Sequence, residues 1–398
     1  MIQLSVMLAL GRVMTEFARK FKLPSVVGEI IAGIVLGPTV LGMLFPGAFT
    51  SLFPKEGFST LALDGFVRVA VILWLFIAGL EVDLHIVLQQ GKQALSTSFL
   101  GLVIPFFIGF IIPYSFPAFF GISPGSDLII FSLFMGTAMG ISALPVIVRI
   151  LMDLKLFKTK IGMLIVASAM VDDVIGWIVF SVILSLIGKG RDIPVWYTIL
   201  LTIGFAFLML TIGRGLLNRV LPWINKKLAW PGGFLSLAMV LCFLGAAFTE
   251  FIGIHAIFGA FIIGVTLGDS EHLSEKAKEI IHQFINNIFA PLFFVSIGLK
   301  INFITHFDLM ITLVILIIAF SGKVIGSGLG AYLGGFSKRE ALATGFGMNA
   351  RGAMEIILGL IALEAGIINE TIFVSLVIMA LVTSITSGPL MKKALEIK

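Results

Sequence analysis

The sequence predicts an all-α polytopic membrane protein. Of its 398 residues, 59% are hydrophobic and only 12% are charged, and the mean hydropathy is +1.12. A soluble domain carries about 25% charged residues. Apolar runs long enough to cross a bilayer recur along the whole chain. These observations exclude an ordinary soluble globular protein.

Glycine, proline and charge clusters divide the chain into thirteen predicted spans. The ninth span is short and rich in glycine, so the count is thirteen only if this segment crosses the membrane. The spans cover residues 2–18, 24–45, 62–80, 94–116, 127–151, 160–187, 194–217, 233–252, 255–269, 284–304, 308–334, 340–363 and 370–391.

The distribution of Lys and Arg between the loops predicts the orientation of the chain. The loops on one side carry 19 of the 27 basic residues. The other side carries five, which are Lys55, Arg68, Lys189, Arg191 and Lys300. The positive-inside rule places the rich side in the cytoplasm, so we expect the N-terminus outside, the C-terminus inside and a location in the cytoplasmic (inner) membrane. Because the basic residues form no block, the net charge of +5 indicates no nucleic-acid partner.

Two segments of the chain repeat. Three glycines of the second span recur at a constant offset of 231 in the ninth: Gly28, Gly33 and Gly37 match Gly259, Gly264 and Gly268. The segment Phe76–Asp83 likewise matches Val295–Asn302. Spans 1–6 and 8–13 are therefore predicted to be two halves joined by span 7. An odd number of spans separates equivalent helices, so the halves are inverted, as in many secondary transporters.

The fifth and twelfth spans contain signals of a broken helix. One reads Gly136–Pro145 and the other Gly345–Gly352. Proline removes a backbone donor, and glycine weakens the surrounding helix. At membrane depth the freed backbone groups must line a cavity or meet a partner, and the ends of two half-helices bring partial charges to an ion site. The polar residues in these breaks, Thr137, Ser142 and Asn349, are therefore predicted to support such a site.

Two adjacent carboxylates, Asp172 and Asp173, lie near the middle of the sixth span. A single Asp at the centre of a membrane helix costs about 2.5 to 3.5 kcal/mol on insertion scales, and an ion or proton pathway is the usual reason for one. Adjacent helical residues point about 100° apart. One Asp can therefore pair with a basic side chain while the other faces a cavity.

Lys323 is the predicted partner for this pair because it lies midway along the eleventh span. Its neighbours Gly322, Gly326 and Ser327 are small, which lets another helix come close. A buried salt bridge without transport chemistry remains the alternative.

Other charged residues in the spans have simpler interpretations. Arg351 and Glu355 are four residues apart and can neutralise each other on one helix face. Glu29 is expected either at a domain interface or extended towards water. The sequence has no His or Cys cluster with metal-ligand spacing, no phosphate-binding loop and no nucleophile elbow. We therefore predict that the protein binds no cofactor and that it is a transporter, not an enzyme.

Four segments together resemble the monovalent cation:proton antiporter superfamily, and the bacterial Kef-type and NapA-type exchangers in particular. They are Phe76–Asp83, Val171–Val174, Gly322–Gly326 and Met348–Glu355. The resemblance covers nearly the whole chain. It implies an antiporter fold with an inverted repeat, a dimerisation domain, and a mobile core built around two crossed discontinuous helices.

The resemblance also implies roles for individual residues. Asp173 would be the main cation and proton carboxylate, Asp172 would pair with Lys323, and the transported Na+ would bind at the Asp pair. In Kef-type potassium systems the first acid is often Gln, so Asp172 together with Lys323 favours an electrogenic sodium-type exchanger. Exchange would proceed by elevator-like movement of the core.

The resemblance further divides the chain into five parts. Residues 1–93 and 233–305 would be the dimerisation or panel helices, 94–188 and 306–398 the ion-translocating core, and 189–232 the linking helix. The predicted activity is exchange of Na+ or Li+ for H+ by a homodimer in lipid. Three alternatives remain open: K+/H+ exchange of the Kef type, sodium-coupled symport of a solute, and a channel.

Overall fold

A computed structural model describes residues 1–21, 24–54, 56–82, 84–122, 127–187, 195–227, 231–270, 273 and 275–396. Within these ranges every regular element is a helix, which confirms the predicted fold class. The orientation argument also uses Lys22, Lys55, Lys189, Arg191 and Lys398, which lie outside the described residues, as does Asp83 of the repeated motif.

The helices, in chain order, are α1 (Ile2–Lys20), α2 (Ser25–Leu36), α3 (Leu41–Leu44), α4 (Pro46–Leu52), α5 (Phe58–Leu80), α6 (Leu84–Ser115), α7 (Leu128–Gly140), α8 (Leu144–Asp153), α9 (Lys160–Ile187), α10 (Val195–Leu208), α11 (Arg214–Lys227), α12 (Gly232–Phe251), α13 (Ala256–Gly268), α14 (Glu275–Phe284), α15 (Ala290–Lys300), α16 (Leu309–Leu333), α17 (Lys338–Met348), α18 (Ala353–Glu364) and α19 (Glu370–Ala394). Two π-helical turns, Met209–Gly213 and Ile285–Phe289, join α10 to α11 and α14 to α15.

The predicted count of thirteen spans is not confirmed. Ten helical stretches in the described part of the chain are long and apolar enough to cross a membrane. The pair α17 and α18, bent by 45°, would make an eleventh. The other two predicted spans correspond to α1, which carries four charged side chains in its second half, and to α13, which has only 13 residues. A helix of that length covers about 20 Å, against about 30 Å of hydrocarbon.

The chain forms two compact units. Unit 1 consists of Met1–Asp83 and Arg191–Thr305, and unit 2 of Leu84–Gly190 and His306–Lys398. Each unit therefore combines one stretch from each half of the predicted repeat. The division into panel helices, core helices and a linking helix, which the family resemblance implies, stays a prediction.

Within unit 1, the repeated glycines make equivalent contacts in the two halves. A Cβ atom at Gly33 of α2 would lie 3.0 Å from the Cα of Gly298 in α15, and one at Gly79 of α5 would lie 3.0 Å from the Cα of Gly264 in α13. Gly33 corresponds to Gly264 in the sequence repeat, and Gly79 to Gly298. The repeat in sequence is thus a repeat of helix contacts, and each half supplies one helix to each pair.

Within unit 2, α9 packs against α6, α7, α8 and α17. The helices α6 and α16 also approach closely. A Cβ atom at Gly322 would lie 2.9 Å from the Cα of Pro105, and one at Gly326 would lie 3.2 Å from the Cα of Gly101. The small neighbours of Lys323 therefore do allow another helix to come close, and that helix is α6.

Two glycines of α5 provide a matched test of the close packing in unit 1. We expect Gly79→Ala to lower the thermal unfolding temperature in detergent, because the added methyl group would overlap the carbonyl oxygen of Phe261 and overpacking costs about 1 to 3 kcal/mol. Gly65→Ala is the control, since a Cβ atom there has no neighbour within 4 Å. Alanine in a helix is favoured over glycine by about 0.5 to 1 kcal/mol. Equal unfolding temperatures for the two variants would contradict this account.

Candidate functional site

Both predicted breaks are present in unit 2, and they bond to each other. The first separates α7 from α8 and the second separates α17 from α18. The amide of Ala143 donates to the carbonyl oxygen of Ala350 at 2.9 Å, and the Ser142 hydroxyl donates to the carbonyl oxygen of Met348 at 2.8 Å. The two unwound segments therefore satisfy part of each other's backbone at membrane depth, as the absence of water there requires.

Two cationic side chains cap the carboxyl end of α7. Arg351 donates to the carbonyl oxygens of Ala138 and Met139, both at 2.5 Å, and Lys323 donates to that of Gly140. The last carbonyls of a helix have no partner within the helix, and they carry the negative end of its dipole. Positive donors at this point supply both the missing hydrogen bonds and a compensating charge.

Lys323 lies 2.6 Å from Asp172, measured from Nζ to Oδ2. The same ammonium donates to the carbonyl oxygen of Gly101 at 3.0 Å, and to that of Gly140. An ammonium group has three N–H donors, and here each has an acceptor on a different helix: α9, α6 and α7.

Asp172 is also held by two hydroxyl groups. Ser98 of α6 donates to Oδ1 at 2.6 Å. The Ser142 hydroxyl in the first break lies 3.2 Å from Oδ2 and shares its single proton between this oxygen and the carbonyl oxygen of Met348. The carboxylate therefore accepts full bonds from one ammonium and one hydroxyl, and a shared bond from a second hydroxyl. Such a set stabilises the ionised form of a buried acid.

Asp173 follows on α9, and its side chain is 1% exposed. Arg351 lies 3.1 Å from Glu355, measured from Nη1 to Oε1, so the predicted pair on one helix face is present. Arg351 has a second contact in the break, because its own carbonyl oxygen accepts a bond from Ser384 of α19.

The five ionisable side chains of this site do not balance in charge, because acids outnumber bases. Lys323 and Arg351 supply two positive charges, while Asp172, Asp173 and Glu355 supply three negative charges, and none of the five is more than 1% exposed. With all of them ionised the site has a net charge of −1. One proton or one monovalent cation would then neutralise the site. Neutralisation matters because an uncompensated buried charge costs several kcal/mol.

The structure brings most of the predicted site residues together. Asp172, Lys323 and Ser142 are in direct contact, and Arg351 and Glu355 flank them. The Thr137 hydroxyl instead donates to Leu133 of its own helix at 2.8 Å. Sequence reasoning missed Ser98, although the polar run Ser96-Thr97-Ser98 in an apolar span was a visible signal.

Glu29 belongs to unit 1 and is only 4% exposed, so the expected extension towards water is wrong. Among the residues that the structure describes, no group of three or more His, Cys, Asp or Glu side chains could hold a resident metal ion.

Comparison with protein families gives one match across almost the whole chain. The model described as "Sodium/hydrogen exchanger, transmembrane" matches residues 5–395. The chain is 32% identical to the Na(+)/H(+) antiporter NhaS4 of Synechocystis sp. over 395 residues, which is 98% of this chain and 95% of that protein.

Two eukaryotic relatives are similar over part of their length. Cation/H(+) antiporter 17 of Arabidopsis thaliana is 34% identical over 98% of this chain, and K(+)/H(+) antiporter 1 of Saccharomyces cerevisiae is 32% identical over 92% of it. The chain spans 47% and 43% of these proteins, respectively, which is about half of their length.

A solved structure with a similar fold is that of the sodium proton antiporter MjNhaP1 from Methanocaldococcus jannaschii at pH 8. The TM-score is 0.61, with 17% sequence identity, over 97% of this chain and 94% of that one. The similarity supports the fold.

The contacts of Lys323 predict how stability depends on the ion pair. Lys323→Met leaves Asp172 as a buried carboxylate without its cation, so we expect a loss of about 3 to 5 kcal/mol in the free energy of unfolding. The double variant Asp172→Asn with Lys323→Met removes both charges and should recover most of that loss. Thermal unfolding of the purified variants in detergent measures both effects. A double variant no more stable than Lys323→Met alone would contradict the pairing.

Proposed function

Because this chain belongs to the sodium/hydrogen exchanger family, we propose that it is a secondary antiporter that exchanges Na+ or Li+ for H+ across the membrane. The observation that carries this proposal is the buried site of three acidic and two basic side chains. With all five ionised, a single proton or a single monovalent cation neutralises it. The relative NhaS4 bears the name of a Na(+)/H(+) antiporter, which supports sodium as the cation.

Asp173 is proposed as the carboxylate for which the proton and the cation compete. Asp172 already accepts bonds from Lys323, Ser98 and Ser142, and these bonds hold it in place. Asp173 is the neighbouring acid on α9, and its position along the helix turns it to a different face. The proton on Asp173 and the cation beside it are therefore mutually exclusive, and this exclusion couples the two fluxes.

The cost of a buried charge explains why the empty site does not cross. In the proposed elevator mechanism, unit 2 carries the site through the membrane, and a site with a net charge of −1 would carry an uncompensated carboxylate through hydrocarbon. Neutralisation by either ligand removes that cost. Movement then follows only after loading, as exchange requires.

Lys323 offers a route to electrogenic exchange. If the cation draws Asp172 away from Lys323, the ammonium loses the carboxylate to which it is hydrogen-bonded and can release its proton. The neutral amine keeps two N–H donors, which match the two carbonyl acceptors at Gly101 and Gly140. The end of α7 thus stays capped after deprotonation. Two protons would then leave for each sodium ion that enters the site.

The chain is further proposed to work as a homodimer in the cytoplasmic membrane, with its N-terminus outside and its C-terminus in the cytoplasm. The excess of Lys and Arg on one side supports this orientation.

K+/H+ exchange is the principal alternative, and the name of the yeast relative favours it. Sodium-coupled symport of a solute is a second. Collapse of an imposed pH gradient in proteoliposomes after addition of Li+, Na+ or K+ distinguishes the first alternative. A change in sodium uptake caused by an organic solute identifies the second, and unitary currents in a planar bilayer would identify a channel.

Removal of one carboxylate tests the proposed exchange site. We expect Asp173→Asn to abolish the cation-driven pH change in proteoliposomes, because an amide cannot release a proton and adds no negative charge. Asp127→Asn is the control: Asp127 caps the exposed start of α7, where Asn is as good a cap. If Asp173→Asn retains sodium-driven proton movement, Asp173 is not the exchange site.

Voltage dependence tests the role of Lys323. Wild-type exchange should respond to an imposed membrane potential, whereas Lys323→Ala should exchange, where it folds, without that response. The double variant Asp172→Asn with Lys323→Met gives the same test without leaving Asp172 as a carboxylate that has lost its cation. An unchanged voltage response in both variants would refute a proton carried by the lysine.

A further inference from the structure

Asn349 is the first residue of the second break, directly after α17, and its side chain is completely buried. The backbone on both sides of it is held in place. The carbonyl oxygen of Met348 accepts the Ser142 hydroxyl, and that of Ala350 accepts the amide of Ala143. The same Ser142 hydroxyl lies 3.2 Å from Asp172. Asn349 is thus fixed in a segment that the Ser142 hydroxyl links to the ion pair of Asp172 and Lys323.

The side-chain amide of Asn349 has no hydrogen-bond partner among the described residues. Both its oxygen, Oδ1, and its nitrogen, Nδ2, are buried and unsatisfied. A buried polar group without a partner is costly, and the large majority of buried side-chain polar atoms in folded proteins have one. An isosteric apolar side chain such as Leu would avoid this cost. The amide therefore has no stabilising role in this state of the protein.

We propose that the Oδ1 atom of Asn349 is a direct ligand of the transported monovalent cation and contributes to its selection. This inference rests on the antiporter function proposed above. An amide oxygen is a hard, neutral ligand of the kind that unwound backbone also supplies to Na+ in membrane transporters. Being neutral, it adds coordination without changing the net charge of −1, so one cation still balances the site.

An amide suits this position better than the other oxygen-bearing side chains. An Asp would add a fourth negative charge, and a hydroxyl would reach less far. Asn therefore adds an oxygen ligand without adding charge.

The test compares the stability and the cation binding of Asn349→Leu. Thermal unfolding of the purified chain is measured in choline chloride and after replacement of choline by NaCl, LiCl or KCl. We expect the variant to be at least as stable as the wild type in choline chloride, since an unsatisfied amide is replaced by an apolar group of similar size. The stabilisation by NaCl should be lost at concentrations that stabilise the wild type.

Exchange assays give a second measurement. In proteoliposomes the half-saturating Na+ concentration of Asn349→Leu should rise about tenfold, as expected for the loss of one polar contact, and the ratio of Na+ to K+ activity should change. Asn349→Ser, which keeps a shorter oxygen ligand, should give an intermediate value. Thr383→Val is the control, because this buried hydroxyl donates only to carbonyls of its own helix, at 2.9 and 3.2 Å. It should leave the half-saturating concentration unchanged.

Two outcomes would overturn the inference while leaving the antiporter intact. One is an Asn349→Leu protein that is stabilised by NaCl as strongly as the wild type and has the same half-saturating concentration. The other is a marked loss of stability in choline chloride, which would show that the amide is bonded within the fold. If no cation stabilises the wild type and none collapses a pH gradient, the proposed function itself fails and the inference with it.

Discussion

The packing of helices inside unit 2 depends on the hydrogen bonds of the Lys323 ammonium. Its three donors reach α9, α6 and α7 from α16, so one side chain joins four helices and caps a half-helix. Such a centre is stable only while every donor has an acceptor, because a partly satisfied buried charge is worse than none. The proposed exchange site is therefore built on an interaction that carries a high cost when broken. In the proposed mechanism, that property also makes the site sensitive to the arrival of another cation.

Arg351 is a second buried cation that caps α7, and it comes from the second half of the repeat. It lies in the break between α17 and α18, yet two of its bonds cap α7 of the first half. The equivalent end of α17 receives a neutral hydroxyl from Ser142. The inverted halves thus share a backbone arrangement but differ in charge: all three carbonyls that close α7 face cations. The three acidic side chains of the site outnumber these two fixed cations, and the proposed mobile cation would supply the remaining positive charge.

Much of this arrangement was predictable from sequence because its parts are conspicuous in apolar runs. Asp172, Asp173 and Lys323 are costly in a membrane span, and the breaks are marked by Pro145 and by glycines. The two carbonyl acceptors of Lys323 and the two carbonyls bound by Arg351 were not predictable. They are backbone atoms up to 222 positions away, and no spacing rule relates them. The span count is unconfirmed for a different reason, since α13 is too short and α1 too charged for a hydropathy criterion.

The paired glycine contacts of unit 1 also affect how the protein is made. The contacts of Gly33 and Gly79 cross to the other half of the chain, because Gly33 packs on Gly298 and Gly79 on Gly264. Domains ordinarily fold from the N-terminus during synthesis. Here these two contacts can form only after 298 and 264 residues, respectively, have been translated. Assembly of unit 1 is thus a late step in biogenesis, and truncated chains that end before α15 would present unpaired helix surfaces to the quality-control machinery of the membrane.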